Sequence, residues 1–279
     1  MMTEGDLSAR ESSVPIAHRL AGQAVVAELL RLQAAEPPRS FLSRSVGRSP
    51  LGRESQPWYR AAVAEIAVGE ALATLGPDWI VLHAVPVGDG TADIDHVVIG
   101  PTGVYIITTT SHPGLAVNAS ERSFIAGDIR YPFIRDMEHE IGRAERLLAA
   151  AAGRPVQVSG VLVVVGARSI TVSGSHRDVA VLESGTLTSW LLGQPAALEA
   201  DEVIEIGIAA RSDSTWHTSD EQPSDPRNIR DQFDTLRREV AGAWRTQLVW
   251  GIAATSVGAG AFMVITYSIL VEALRSFGL

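Results

Sequence analysis

The chain has no lysine, so all 23 of its basic residues are arginine. A guanidinium stays protonated at physiological pH, which closes reaction schemes that need a lysine ammonium beside a metal-bound water. Cysteine is absent too. Without thiols there are no disulfides and no thiolate zinc sites, which agrees with a reducing compartment. The seven histidines are scattered rather than paired at i and i+4, so no histidine-rich metal centre is expected. Positive charge is in short supply: the formal net charge is −9, and residues 58–200 carry nine arginines against fifteen acids. Such a surface is a poor non-specific grip for nucleic acid, whose phosphates must be neutralised by basic side chains.

Charge is missing altogether from the 24 residues 248–271, LVWGIAATSVGAGAFMVITYSILV. At ~1.5 Å rise per residue this helix is about 36 Å long, enough to cross a hydrocarbon core of roughly 30 Å with some tilt. Trp244 and Trp250 near its start and Tyr267 near its end suit the two membrane interfaces. Arg227, Arg230, Arg237, Arg238 and Arg245 precede the run and only Arg275 follows it, a bias that predicts a cytoplasmic N-terminal part. The leading MMTEGDLSARESS is polar and lacks the apolar stretch of a signal peptide. The expectation is a single-pass membrane protein with a C-terminal anchor. It divides into an N-terminal helix with an Arg/Ser/Pro-rich linker (1–57), an α/β domain (58–200), an acidic connector with a juxtamembrane helix (201–247), a transmembrane helix (248–271) and a short tail (272–279). Small residues at Gly251, Thr255 and Ala259, with Ala254, Gly258, Ser256 and Gly260 on adjacent faces, suit close packing of two such helices in a homo-oligomer.

Ile16, Leu20, Val25, Leu29, Leu30 and Leu32 predict a helix over 15–35 that Pro37 and Pro38 stop. The linker 37–56 has four arginines and one glutamate among Ser, Pro and Gly. It reads as a solvated tether, with weak contact to anionic lipid headgroups as the sharper alternative. A helix follows over 58–75. Strands are predicted over 79–87, 93–99 and 104–110, separated by Gly88-Asp89-Gly90 and Gly100-Pro101-Thr102-Gly103. A helix over 134–152 and an apolar strand over 158–165 complete a compact α/β core in the order helix, three strands, helix, strand. A short strand over 179–182 and a helical turn over 187–192 come last.

The polar exceptions in that core carry the functional question. Glu70 ends Val68-Gly69-Glu70 on the first core helix, and Asp93 and Asp95 alternate along Asp93-Ile94-Asp95-His96. A helix carboxylate and a strand carboxylate at one sheet edge are the oxygen ligands that a Mg²⁺ site for phosphodiester hydrolysis uses. The stretch from Trp58 to about Val165 resembles the nuclease-related domain (NERD) family, which is similar to the PD-(D/E)xK nuclease superfamily. The resemblance rests on Gly69-Glu70, on Asp93-Ile94-Asp95-His96-Val97-Val98-Ile99 with the Gly-Pro-x-Gly turn after it, and on Pro132 leading into a long helix and the 161–165 strand. It implies a restriction-endonuclease-like core, with Glu70 and Asp95 at acidic active-site positions. It also implies a following strand that ends in Glu-Thr-Lys.

Here that strand ends in Thr108-Thr109-Thr110. Thr108 and Thr110 thus stand in place of the second carboxylate and the lysine, leaving Glu70 and Asp95 as vestigial catalytic positions. A threonine hydroxyl supplies neither the negative charge that holds Mg²⁺ nor an ammonium for the developing phosphate charge. Tyr131 and Arg135 depart further from the Asn and Gln expected around Pro132. The reading is a catalytically degenerate nuclease fold acting as a membrane-anchored binding or scaffold module, with no cofactor. The first alternative is an active nuclease with a migrated site. There Glu70 and Asp95 hold Mg²⁺ with help from Asp93, His96 or Glu121, and Arg122 or Arg130 takes the lysine's electrostatic role. The second is a structural membrane protein that oligomerises. The lipid bilayer is the partner in each case, and nucleic acid is left open.

Overall fold

A computed structural model describes residues 15–87, 93–174, 178–216 and 225–276, with the helical backbone alone for 257–262 and 270–276. The expected core order is present as α3 (Ser55–Leu72), β1 (Ile80–Pro86), β2 (Asp93–Gly100), β3 (Gly103–Ser111), α4 (Phe133–Ala152) and β7 (Val158–Val165). These strands and β9 (Val179–Glu183) form one sheet in the order β1-β2-β3-β7-β9. β1, β2 and β3 run antiparallel, whereas β7 lies parallel to β3 in the register Val104↔Val158 to Ser111↔Val165. A parallel neighbour requires a crossover, and α4 lies within it. Val161, Leu162, Val163 and Val164 are all fully buried, as expected of a strand covered on both faces.

The two faces are covered by different helices. On one, Ile134, Met137, Ile141, Ala144 and Leu148 of α4 form a stripe at helical spacing that packs on Ile106, Leu162 and Val164. α6 (Ala200–Arg211) joins this layer through Val203 and Ile206, together with the fully buried Trp216. On the other face, Val68 and Leu72 of α3 and Leu187 and Leu191 of α5 (Leu187–Leu192) pack on Val98, Tyr105, Ile107 and Val163. Beyond α3, Val26 and Leu29 of α1 (Gln23–Ala34) meet Ile229, Phe233 and Leu236 of α7 (Pro226–Ser276) around Ala62. Gly69 permits this layering, because a Cβ there would collide with Ala21 on the segment leading into α1.

Several features depart from the expectation. A second sheet in the order β6-β5-β4-β8 is formed by β4 (Ala116–Ser120), β5 (Ser123–Ala126) and β6 (Ile129–Tyr131), which lie between β3 and α4, and by β8 (Ser169–Ser173), which follows β7. Its strands are three to five residues long, and only Val117, Ala119, Phe124 and Ala126 are buried, so the alternation in sequence is brief. The N-terminal helix is broken: a turn of 3-10 helix at Ile16–His18 precedes α1, with Gly22 in the left-handed conformation between them. The linker is not a free tether, because it contains α2 (Phe41–Ser45) and rests on α7. In the stretch 201–247, α6 stands where a connector was expected, ahead of the first part of α7. α7 continues without interruption from Pro226 through the uncharged run, 51 residues or about 77 Å. The Gly88-Asp89-Gly90 turn lies outside the described residues. So do the side chains at Gly258, Ala259 and Gly260 and at the end of the run. Among the described residues no helix is long and apolar enough to cross a membrane.

Candidate functional site

The site forms where β2 and β3 part. They are paired from Gly100↔Gly103 to His96↔Ile107. Further along, β2 remains on β1 as far as Asp93↔Pro86, while β3 remains on β7 from Thr108↔Leu162 to Ser111↔Val165. A wedge therefore opens between Asp95 and Thr108. In it the Thr109 backbone N–H, lacking a β2 carbonyl, donates to Asp95 Oδ2 at 2.6 Å. The buried N–H group is thus satisfied by a side chain where the ladder stops.

Four carboxyl groups surround this wedge: Asp93 and Asp95 from β2, Glu65 from α3 and Glu140 from α4. Burial, with repulsion from Glu140, pushes the Asp95 carboxyl up to about 7 against the opposing pull of the Thr109 N–H. Glu65, 4% exposed, is raised well above the usual carboxylate range by burial and then by Asp95. Glu140 is raised by burial, with Thr108 and Arg143 opposing. Low polarity and like charges thus both work against ionisation of these acids.

Each acid also has a partner within the chain. Glu65 Oε1 accepts from the Gly22 N–H at 2.9 Å, which anchors the segment before α1. Arg19 on that segment lies 4.0 Å from Asp93 and donates to the Ala84 carbonyl at 2.8 Å. Thr108 Oγ1 donates weakly to Glu140 Oε2 at 3.4 Å. Arg143 donates to the Val87 carbonyl. Among the described residues, Arg19 and Arg143 bring positive charge to the wedge.

The residues singled out in the sequence are only partly assembled here. Asp95 bonds the backbone of Thr109, next to Thr108, while Thr110 turns its hydroxyl to His112 Nε2 at 2.9 Å. From α3, however, the residue that interacts with Asp95 is Glu65. Glu70 is exposed and lines a separate cavity of about 220 Å³ with His83, Phe233 and Arg237. Of the three residues considered as replacement ligands, Asp93 reaches the wedge. His96 is fully buried, with Nδ1 2.9 Å from His83 Nδ1 and Nε2 without a hydrogen-bond partner. Burial lowers the pKa of both rings, so the pair is neutral and shares a single Nδ1 proton. Glu121 and Arg122 occupy the β4–β5 turn and Arg130 lies on β6, all in the second sheet. Sequence reading missed Glu65, Glu140, Arg19 and Arg143. Glu140 carried a faint signal: it borders the apolar stripe of α4, one residue before Ile141 and three after Met137.

Mg²⁺ requires ionised oxygen ligands in near-octahedral array. The wedge fits it poorly as folded: Asp95 and Glu65 accept backbone N–H bonds, and threonines stand at positions 108 and 110. Among the described residues no group of three or more His, Asp or Glu side chains is arranged to hold a metal ion.

Mixed sheets with helices on both faces, and acids at the point where two strands part, place this core in the class of α/β nuclease-like folds. Residues 60–165 match the sequence model of the nuclease-related domain family, NERD, and the chain carries a nuclease-related domain over that stretch. The match runs from within α3 to the end of β7 and includes β4, β5 and β6 of the second sheet. No curated protein and no solved structure matches the chain significantly.

The Asp95 carboxyl makes a testable contribution to stability. Its pKa of about 7 exceeds the ordinary 3.8, so between these values the folded protein holds a proton that the unfolded chain releases. Its effect on stability therefore becomes more unfavourable as pH rises through that window. Asp95→Asn keeps an oxygen for the Thr109 N–H and removes the charge. The variant is expected to be more stable than the wild type by about 4 kcal/mol at pH 8, since each tenfold change in proton affinity corresponds to ~1.4 kcal/mol, and to lose that advantage by pH 4. Urea midpoints at the two pH values measure this. An advantage that does not grow with pH means that Asp95 is already ionised without penalty.

Proposed function

We propose that the protein is a membrane-anchored module whose nuclease-related domain has exchanged hydrolysis for binding or scaffolding. One observation carries this reading: the carboxylates at the wedge are engaged by the chain's own Gly22, Arg19, Thr108 and Thr109, where a nuclease would leave them for metal and phosphate. Loss of a single transition-state contact commonly costs ~10²-fold or more in rate. Here both the β3 carboxylate and the lysine are threonine, and the chain contains no lysine to substitute. The uncharged 24-residue run within α7 supports the anchor, and the arginines before it support a cytoplasmic domain.

With Mg²⁺ or Mn²⁺, the purified protein is expected to cleave single- and double-stranded DNA and RNA no faster than its Glu65→Ala, Asp95→Ala double variant. Cleavage that the double variant loses would establish an active nuclease. One observation favours that second reading: Glu140 beside Thr108 brings a carboxylate from α4 close to the position of the missing β3 acid. Glu140→Gln separates the two, because in an active enzyme it abolishes cleavage and in a binding module it has no cleavage to abolish.

A further inference from the structure

The linker is an arginine-rich surface segment. From Pro37 to Arg53 it contains Arg39, Arg44, Arg48 and Arg53 and no acid. Its short helix α2 turns large apolar side chains outward: Phe41 is 79% exposed, Leu42 75% and Val46 56%. Exposed apolar side chains in a cationic rim are an unusual surface for water.

The position of this surface is set by α7. Trp250 Nε1 donates to the Ser45 carbonyl at 2.8 Å, and Arg39 pairs with Glu239 at 2.7 Å. Between these contacts Gly47 packs so closely that a Cβ would stand 2.6 Å from the Ala243 carbonyl oxygen and the Gln247 nitrogen. α2 is therefore held beside residues 243–250, where the uncharged run begins. The neighbouring α7 surface is also exposed and apolar, at Trp244, Leu248, Val249 and Trp250.

We infer that α2 docks on the anionic headgroup surface of the bilayer, with Phe41, Leu42 and Val46 among the upper acyl chains and Arg44 and Arg48 among the phosphates. The placement rests on α7 being the anchor proposed above. Amphipathic rings and a basic rim at the level where a helix enters lipid are the chemistry of interfacial binding. The surface orients the domain against the membrane, which a helix joined by a free tether does not do.

The absence of cysteine allows a single reporter. Leu42→Cys in the full chain is labelled with an environment-sensitive fluorophore, with Ser169→Cys on β8 as an aqueous control. Each is reconstituted in phosphatidylcholine vesicles with and without phosphatidylglycerol, some containing brominated acyl chains. The expected result is a blue shift and bromine quenching at position 42 in the anionic vesicles, no change at 169, and loss of the signal on adding Phe41→Ser with Val46→Ser. A label at 42 that stays aqueous on a carbonate-resistant chain overturns the docking and leaves the anchor intact. A label that is quenched on a chain released by carbonate overturns the anchor and leaves α2 as a peripheral lipid contact. A blue shift that depends on protein dilution rather than on anionic lipid assigns the surface to a second copy of the chain and overturns the inference.

Discussion

If the proposed anchor holds, deleting residues 246–279 is expected to move the protein almost completely from the carbonate-resistant membrane pellet to the supernatant, while the full chain stays in the pellet. The expectation follows from 24 consecutive residues without a charge, whose transfer out of lipid exposes a large apolar area to water. The shortened chain keeps Ile229, Phe233 and Leu236, the α7 residues that pack on α1 and α3, so its core is preserved. Full-length protein in the supernatant would make the run a solvent-covered or protein-covered helix and would remove the anchor.

Phe233→Ala is expected to destabilise the protein by about 3–5 kcal/mol, the usual range for removing a buried aromatic ring. The ring is 2% exposed, sits 5.9 Å from Tyr59 in a tilted arrangement and lies beneath the Arg237 guanidinium at 6.0 Å. It is the largest apolar side chain that α7 buries in this cluster, so the loss should be local at first. Hydrogen exchange on the full chain in detergent tests both aspects. Amides of Gln23–Ala34 and of 226–243 should exchange faster, while those of β3 and β7 keep their protection. Uniform acceleration across the sheet would mean that the α1–α3–α7 layer and the sheet unfold as one unit.

The legibility of the fold followed the length of each element. Val158–Val165 is bounded as expected because five valines and a leucine in eight residues favour a buried strand. α4 announced itself through its apolar stripe, and Gly153 with Pro155 ended it. Ala116–Ser120 and Ser123–Ala126 were not recognised, because four or five residues with Asn and Ser at alternate places look like a loop until a partner strand is present. The linker misled for a similar reason. Ser, Pro and Gly describe local flexibility, whereas its order comes from Trp250, Glu239 and Gly47 meeting across about 200 residues of chain.

At the candidate site the division is sharper. Glu65 and Glu70 both lie on α3, five residues apart and therefore about 140° apart around the helix. Only the docking of that helix on the sheet and on the segment before α1 decided that Glu65 interacts with Asp95 and that Glu70 borders the cavity with His83.

The sequence alone determined the chemical inventory: no lysine anywhere, three threonines at the end of β3, two aspartates along β2 and an uncharged C-terminal run. Composition and strand pattern are local properties, so these needed no coordinates. The tertiary structure decided which acids share the wedge, that β2 and β3 diverge there, and that the N-terminal segment closes over it with Gly22 and Arg19. Those outcomes depend on contacts between residues far apart in the chain, whose geometry is set by packing and hydrogen-bond satisfaction rather than by any local preference.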